Sequence, residues 1–235
     1  MRLPQLARAI GATVLDLLYP RTCVGCGREG RYFCEGCRIS LPWISAPWCL
    51  QCGLHLPDGK SCAFCAAHEL TLDGLTSAFL YQPPVREALI ALKYHGMSAL
   101  SIELAELLAA HVAGKDLPVD VIVPVPLHRS RRRERGYNQS EAIGKDLARM
   151  LGLAVQGDAL VRTRSTSPQA QQASREERLR NMQDAFAPGP ANVRGRRVLL
   201  LDDVCTTGAT LNACAAALRA AGAKGVWGLT VAREE

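Results

Sequence analysis

The sequence predicts an α/β protein: a parallel sheet with helices on both faces, preceded by a small cysteine-rich domain and an N-terminal helix. Three observations predict it. From about Leu72 onward, runs of branched aliphatics alternate with amphipathic segments, the pattern of strand and helix units whose crossovers make a parallel sheet. Eight of the ten cysteines fall as four C-x2-C pairs between Cys23 and Cys65. One apolar run, in VLLLDDVCTTGATL at 198–211, ends on two acids and a cluster of hydroxyl residues around a glycine. The chain has 235 residues, 48% of them hydrophobic, enough for one full core and a small satellite. The expected domains are 1–20, 21–70 and 71–235.

In 1–20, Leu3, Leu6, Ile10, Val14, Leu17 and Leu18 recur at helical spacing, giving an amphipathic helix that packs on the body or on a partner. Arg8 and Asp16 interrupt the apolar run and no small-residue cleavage site follows, so it is not read as a secretion signal. No apolar stretch reaches the roughly 18 residues of a membrane span. A cytoplasmic location is expected, where disulfides are rare and clustered cysteines point to metal.

A C-x2-C turn sets two thiolates on one side of a zinc ion, and a second pair from a facing hairpin completes the tetrahedron. Cys23, Cys26, Cys34 and Cys37 enclose a seven-residue gap, and Cys49, Cys52, Cys62 and Cys65 a nine-residue gap. Sequential pairing gives two compact ribbons; a crossed arrangement also satisfies the spacing. The role expected for both ions is structural, because some 45 residues with few large apolar side chains cannot make a core without metal. A redox dithiol needs only one pair and a catalytic zinc needs an open position. Trp43, Trp48 and Phe64 are either ribbon core or a stacking face for bases, and His55 and His68 are bystanders.

In the larger domain, SAFLY reads as a strand and VREALIALKYHG as a helix stopped at Gly96. SALSIELAELLAAHVAG reads as a second helix, with Ser98 or Ser101 as N-cap and Gly114 at its end. VDVIVPVP is a buried strand that leaves its ladder at Pro124 and Pro126. NQSEAIGKDLARMLG is a helix, ALVRT a strand, 162–181 a long polar stretch and DAFAP an edge strand. RVLLLDDV, a helix over 209–221 stopped by Gly222, and the strand VWGLTVA complete the unit.

Consecutive strand residues face opposite sides, so Asp202 and Asp203 in mid-strand would bury at least one charge. At the carboxyl end both can reach a ligand crevice, accept hydrogen bonds from sugar hydroxyls or hold hydrated Mg²⁺. The loop Cys205-Thr206-Thr207-Gly208-Ala209-Thr210 then opens a helix. Free N–H groups, a positive dipole end and threonine hydroxyls make it a phosphate cradle. A triphosphatase P-loop is excluded by the missing lysine, and an ordinary capped helix rarely needs two acids and three threonines. Cys205 lies within the cradle and outside the four C-x2-C pairs. The net charge of +6 favours anionic partners.

VLLLDDVCTTGATL resembles the signature of type I phosphoribosyltransferases, and nearly the whole chain, including LKYHG, VPVPLH and RERGYNQS, resembles the ComF/GntX family. The resemblance implies a double zinc ribbon with two structural zinc ions, followed by a domain that binds phosphoribosyl pyrophosphate (PRPP) with Mg²⁺. It gives Asp202 and Asp203 the ribose hydroxyls, and Thr206, Thr207, Gly208, Ala209 and Thr210 the 5′-phosphate. It places the pyrophosphate loop around 126–138; Lys93, in LKYHG, and Arg135, Asn138 and Gln139, in RERGYNQS, match family motifs. Arg178 and Asn181 match the end of a flexible hood; upstream, Ala170 and Ala173 stand where the family has glutamine and leucine, amid Gln169, Gln171 and Gln172. Arg129, Arg131, Arg132 and Arg133 suit a leaving pyrophosphate or a phosphodiester backbone.

The function implied is DNA uptake, natural transformation or DNA utilisation, with PRPP and single-stranded DNA as partners. A phosphoribosyltransferase of unknown acceptor and a zinc-ribbon adaptor for partner proteins are the alternatives, since a fold does not establish a chemistry.

Overall fold

The computed structural model describes residues 21–56, 62–68, 70–164, 182 and 184–234. The helix expected over 1–20, and Arg178 and Asn181 with the polar segment around them, lie outside the described residues. The cysteine-rich part carries two short helices, α1 (Glu35–Ile39) and α2 (Ala63–Ala67). The rest runs β1 (Gly74–Leu80), α3 (Val85–Tyr94), α4 (Leu100–Val112), β2 (Val121–Pro124), α5 (Arg129–Arg135), α6 (Gln139–Leu151) and β3 (Ala154–Val155). It continues β4 (Leu160–Arg162), β5 (Phe186–Pro188), β6 (Arg197–Cys205), α7 (Ala209–Ala220) and β7 (Gly225–Arg233).

Five strands form one sheet in the order β1-β7-β6-β2-β3, and every neighbouring pair is parallel. Val198, Leu199, Leu200 and Leu201 of the central β6 are all buried, which is why the run is continuously aliphatic rather than alternating. Each such side chain contributes about 1.5–3 kcal/mol by leaving water. On one face Leu199 and Leu201 pack with α3, α4 and α6. On the other, Val198 and Leu200 pack with α7 and the β4–β5 pair.

The topology opens a crevice. From β2 the chain moves outward to β3, while from β6 it moves the opposite way to β7. The connections leaving β2 and β6 therefore diverge at the carboxyl ends of two adjacent strands, where ligands of open α/β sheets bind.

Several elements differ from expectation. Neither Ser98 nor Ser101 caps α4: the N-cap is Ala99, with no side-chain bond. Ser101 Oγ instead donates to the buried Asp146 at 2.6 Å, a long-range bond that outweighs a local cap. DAFAP pairs antiparallel with β4 in a separate two-stranded sheet and is not an edge of the main one. The arginine-rich segment read as a loop contains α5, with a hydrogen bond from Ser130 N–H to the His128 ring at its start and Gly136 (φ 77°) at its end. It is polar on every side, so no apolar period announced it.

Candidate functional site

The crevice is built from three chain segments. β6 does not stop at the acids: it runs on to Cys205, with Asp202 opposite Thr230 and Cys205 opposite Arg233. The two carboxylates thus sit within the last turns of a paired strand, and the alternation that would bury a charge is met by partners. Asp203, buried, accepts from Lys93 Nζ at 2.8 Å and from Gln139 Nε2 at 2.9 Å. Asp202 Oδ1 accepts from Ser140 Oγ at 3.1 Å and from the Asp203 amide at 2.9 Å. Among the described residues, Asp202 Oδ2 and Asp203 Oδ1 have no hydrogen-bond partner, so each acid keeps one oxygen for a ligand.

The electrostatics of the two acids differ. Burial, then the adjacent Asp203 carboxylate, pushes Asp202 up to about 7. Lys93 loses solvation, yet the Asp203 carboxylate holds its ammonium above the usual lysine range. Asp203 has Lys93 in direct contact, while the Lys93 charge opposes the rise of Asp202 without reversing it.

Gln139 continues the network outward. Its Oε1 accepts from Arg135 Nη1 at 3.0 Å. The Arg135 guanidinium lies over the Tyr94 ring, 5.0 Å from its centroid, and donates to the Tyr94 hydroxyl at 3.3 Å. Asn138 shapes the backbone here: its side chain accepts from Ser140 N–H at 3.1 Å as the N-cap of α6 and donates to the Val125 carbonyl at 3.0 Å. Tyr137 donates its hydroxyl to the Leu92 carbonyl, which ties this loop to α3. The crevice thus brings Lys93, Arg135, Asn138 and Gln139 together with both acids.

Across the crevice, Thr206 and Thr207 lead to Gly208, the N-cap of α7. Gly208 has φ 82°, a left-handed conformation that a side chain would strain. Thr207 Oγ1 accepts from the Ala209 amide at 3.3 Å. The amides of Thr206, Thr207 and Gly208 donate to no protein acceptor among the described residues, at the positive end of a twelve-residue helix.

On α5, Arg129, Arg132 and Arg133 are exposed and Arg131 is half-buried. Arg132 pairs with Glu141 at 3.3 Å. Arg162 of β4 is near enough to Asp202 for their charges to interact: burial and the Arg131 charge lower its affinity for a proton, and Asp202 opposes them.

The eight knuckle cysteines gather in the sequential sets Cys23, Cys26, Cys34, Cys37 and Cys49, Cys52, Cys62, Cys65, each with sulfurs within 4.8 Å of one another. Measured edges are 3.6 Å for Cys26 and Cys34, 3.7 Å for Cys49 and Cys65 and 3.6 Å for Cys52 and Cys62. Zinc–sulfur bonds of about 2.3 Å imply tetrahedron edges of about 3.8 Å, so both sets fit zinc. The acidity of the thiols agrees. Against the cost of burial, amides of the knuckle and the neighbouring thiol hold Cys23 down at about 6, whereas hydrogen bonds to Cys23 and Cys34 push Cys37 up to about 12. Crowded sulfurs cannot all ionise unless a cation joins them.

Of the aromatic residues among the knuckles, Trp43 packs on Phe79 of β1 with centroids 4.3 Å apart. Phe64 stacks on His68 at 4.4 Å, and Lys115 lies over Trp48 at 5.2 Å. These contacts make docking and ribbon packing.

Four contributors escaped the sequence reading as individuals: Ser140, Tyr94, Arg162 and Arg233. The first two lie inside the motifs RERGYNQS and LKYHG, so their signal was present. Arg162 and Arg233 carried none, because each is placed by the pairing of distant strands.

Known proteins resemble the chain in both parts. A double zinc ribbon domain model matches residues 14–66, and a phosphoribosyl transferase domain model matches residues 138–233. Competence protein F of Haemophilus influenzae is 32% identical over 209 residues, spanning 83% of this chain and 89% of that protein. DNA utilization protein YhgH of Escherichia coli is 35% identical over 189 residues, spanning 76% and 80%. Competence protein ComFC of Bacillus subtilis is 26% identical over 195 residues, spanning 79% and 77%.

Proposed function

The chain belongs to the ComF family, with Competence protein F and DNA utilization protein YhgH among its relatives, and on that premise we propose that it serves DNA uptake and utilisation by binding PRPP in the crevice and single-stranded DNA beside it. The observation that carries the PRPP reading is the succession of two features from the end of β6 to the start of α7. The strand end presents an oxygen from each of Asp202 and Asp203 that has no partner among the described residues, and the loop presents the amides of Thr206, Thr207 and Gly208, likewise without one, at the start of α7. Their chemistries suit ribose hydroxyls and a 5′-phosphate.

Mg²⁺ arrives with the pyrophosphate in this reading and neutralises its charge, and the hard carboxylate oxygens suit such a hydrated ion. Lys93 and Gln139 hold Asp203 in place, and Arg135 stands one residue further out to meet a pyrophosphate oxygen. The exposed Arg129, Arg132 and Arg133, with half-buried Arg131 and the Tyr94–Arg135 stack, supply charge and an aromatic face for a single strand.

Titration with PRPP and Mg²⁺ tests the crevice. The native chain should bind and the Asp202→Asn, Asp203→Asn double variant should not; equal binding removes the assignment. For DNA, affinity for a single strand should fall steeply with salt and again when Arg131, Arg132 and Arg133 become alanine. A screen of acceptors for pyrophosphate release separates a binder from a transferase directly.

A further inference from the structure

Arg233, at the end of β7, is 1% exposed. Its Nη1 donates to the Cys52 carbonyl at 3.0 Å and to Cys205 Sγ at 3.4 Å. Among the described residues, Nε and Nη2 have no hydrogen-bond partner, and no carboxylate pairs with the guanidinium. Arginine cannot shed its proton to escape this cost, and a buried unpaired ion is penalised heavily. The neighbouring turn is fitted to the guanidinium: Gly53, the residue after Cys52, has φ 69°, and a Cβ on it would stand 3.1 Å from Arg233 Nη1. The knuckle is shaped to let the cation in.

The missing anion is next door. A dication held by four thiolates leaves a dianion, and in the second cysteine set Cys49 and Cys52 are both buried. The first set also has two buried cysteines, Cys23 and Cys34, but its Cys26 is exposed, whereas no cysteine of the second set is. Burial makes charge compensation valuable, and at the second set the chain places a buried cation within a hydrogen bond of a ligand residue.

We propose that Arg233 is the counter-cation of the second zinc tetrathiolate, so that the α/β body, through the end of its strand β7, sets the metal affinity of that ribbon. The proposal rests on zinc filling the cysteine sets and is independent of whether the crevice binds PRPP. It also assigns the second ribbon a mechanical link to the crevice, since Cys205, which Arg233 touches, is the residue before the Thr206–Thr210 loop.

The test is stepwise chelator competition on the full zinc-loaded chain, with a metallochromic reporter and thiol alkylation to show which cysteines open first. In Arg233→Met one of the two ions should leave at roughly tenfold to a hundredfold lower chelator concentration, exposing Cys49, Cys52, Cys62 and Cys65, while the other leaves as in the native chain. Arg233→Lys, which keeps the charge and loses the planar fork, should fall between. Cys205→Ala should release zinc as the native chain does. Retention of both ions at native affinity in Arg233→Met overturns the proposal, as does equal weakening of both sites.

A wild-type measurement stands apart from the folding of any variant. Stripping the second ion should deprotect the amides of 231–233 to hydrogen exchange, and stripping only the first should not. Unchanged protection after loss of the second ion overturns the assignment.

Discussion

The two ribbons share a cysteine pattern but are fastened to the body by opposite charges. The first is held by an anion: Glu103 of α4 accepts the Tyr32 amide at 3.1 Å and the Phe33 amide at 2.9 Å, and Phe33 is fully buried in the core beneath. The second is held by a cation, Arg233, and by the Leu75 amide donating to the Leu50 carbonyl at 3.0 Å. The carboxylate serves backbone N–H groups beside the first cluster, while the guanidinium serves a carbonyl of a ligand residue in the second. Two equivalent metal sites thus answer to different parts of the body, the first to a helix and the second to the end of a strand bordering the ligand crevice.

Removing a ligand from each ribbon breaks the comparison most severely. Cys23→Ser and Cys52→Ser should each lower bound zinc from two ions per chain to one, read by native mass spectrometry. Zinc binding is folding energy in such modules, on the order of 10 kcal/mol, so the affected ribbon should unfold locally in both. The consequences beyond the ribbon should differ. Cys52→Ser should also lower the melting temperature of the α/β body, because it strands Arg233; Cys23→Ser should leave the body closer to native. Equal losses would mean that the fastening charges do not distinguish the sites.

Glu103→Ala sharpens the comparison with a smaller effect. It leaves two amides without their charged acceptor, and hydrogen bonds to charged groups are worth roughly 1.5–3 kcal/mol each when lost. Because these amides are only partly buried, a total of about 2–3 kcal/mol is expected in denaturant melts. Glu103→Gln, which keeps one acceptor oxygen, should lose less. Zinc in the first ribbon should become easier to remove while the second is unaffected.

How much of this could be read in advance depended on whether a feature was local. The C-x2-C spacing carried both cysteine sets, and the aliphatic run at 198–201 carried the central strand, because each signal lies within a few residues. The acids and the glycine loop were legible for the same reason. Arg233 was not: its position follows from its register with Cys205 and from the approach of Cys52, 181 residues away. Ser101 looked like a cap until Asp146, 45 residues on, claimed its hydroxyl. The helix α5 was missed because seven residues with five arginines give a polar surface in any conformation.

The comparison of compensated and uncompensated charge extends to the acid pair, where it predicts a modest effect of pH. Asp203 has Lys93 at 2.8 Å, whereas Asp202 has a hydroxyl and an amide. Burial, and then the Asp203 charge, raises Asp202 from 3.8 to about 7. The folded chain therefore binds a proton at this site more tightly than the unfolded chain between about pH 4 and 7. Stability from Asp202 is fully present below about pH 4, declines as pH rises through that window, and is lost above about 7. Asp202→Asn removes the titrating group, so unfolding free energy measured without ligand should be flatter across that window than in the native chain. The variant should match or exceed native stability at about pH 8. Asp203→Asn should behave in the opposite sense there, losing stability because it leaves the buried Lys93 ammonium without its carboxylate. An Asp202 variant with the native pH slope would mean that the carboxylate is solvated well enough to ionise normally, and the asymmetry between the two acids would then have to come from their geometry alone.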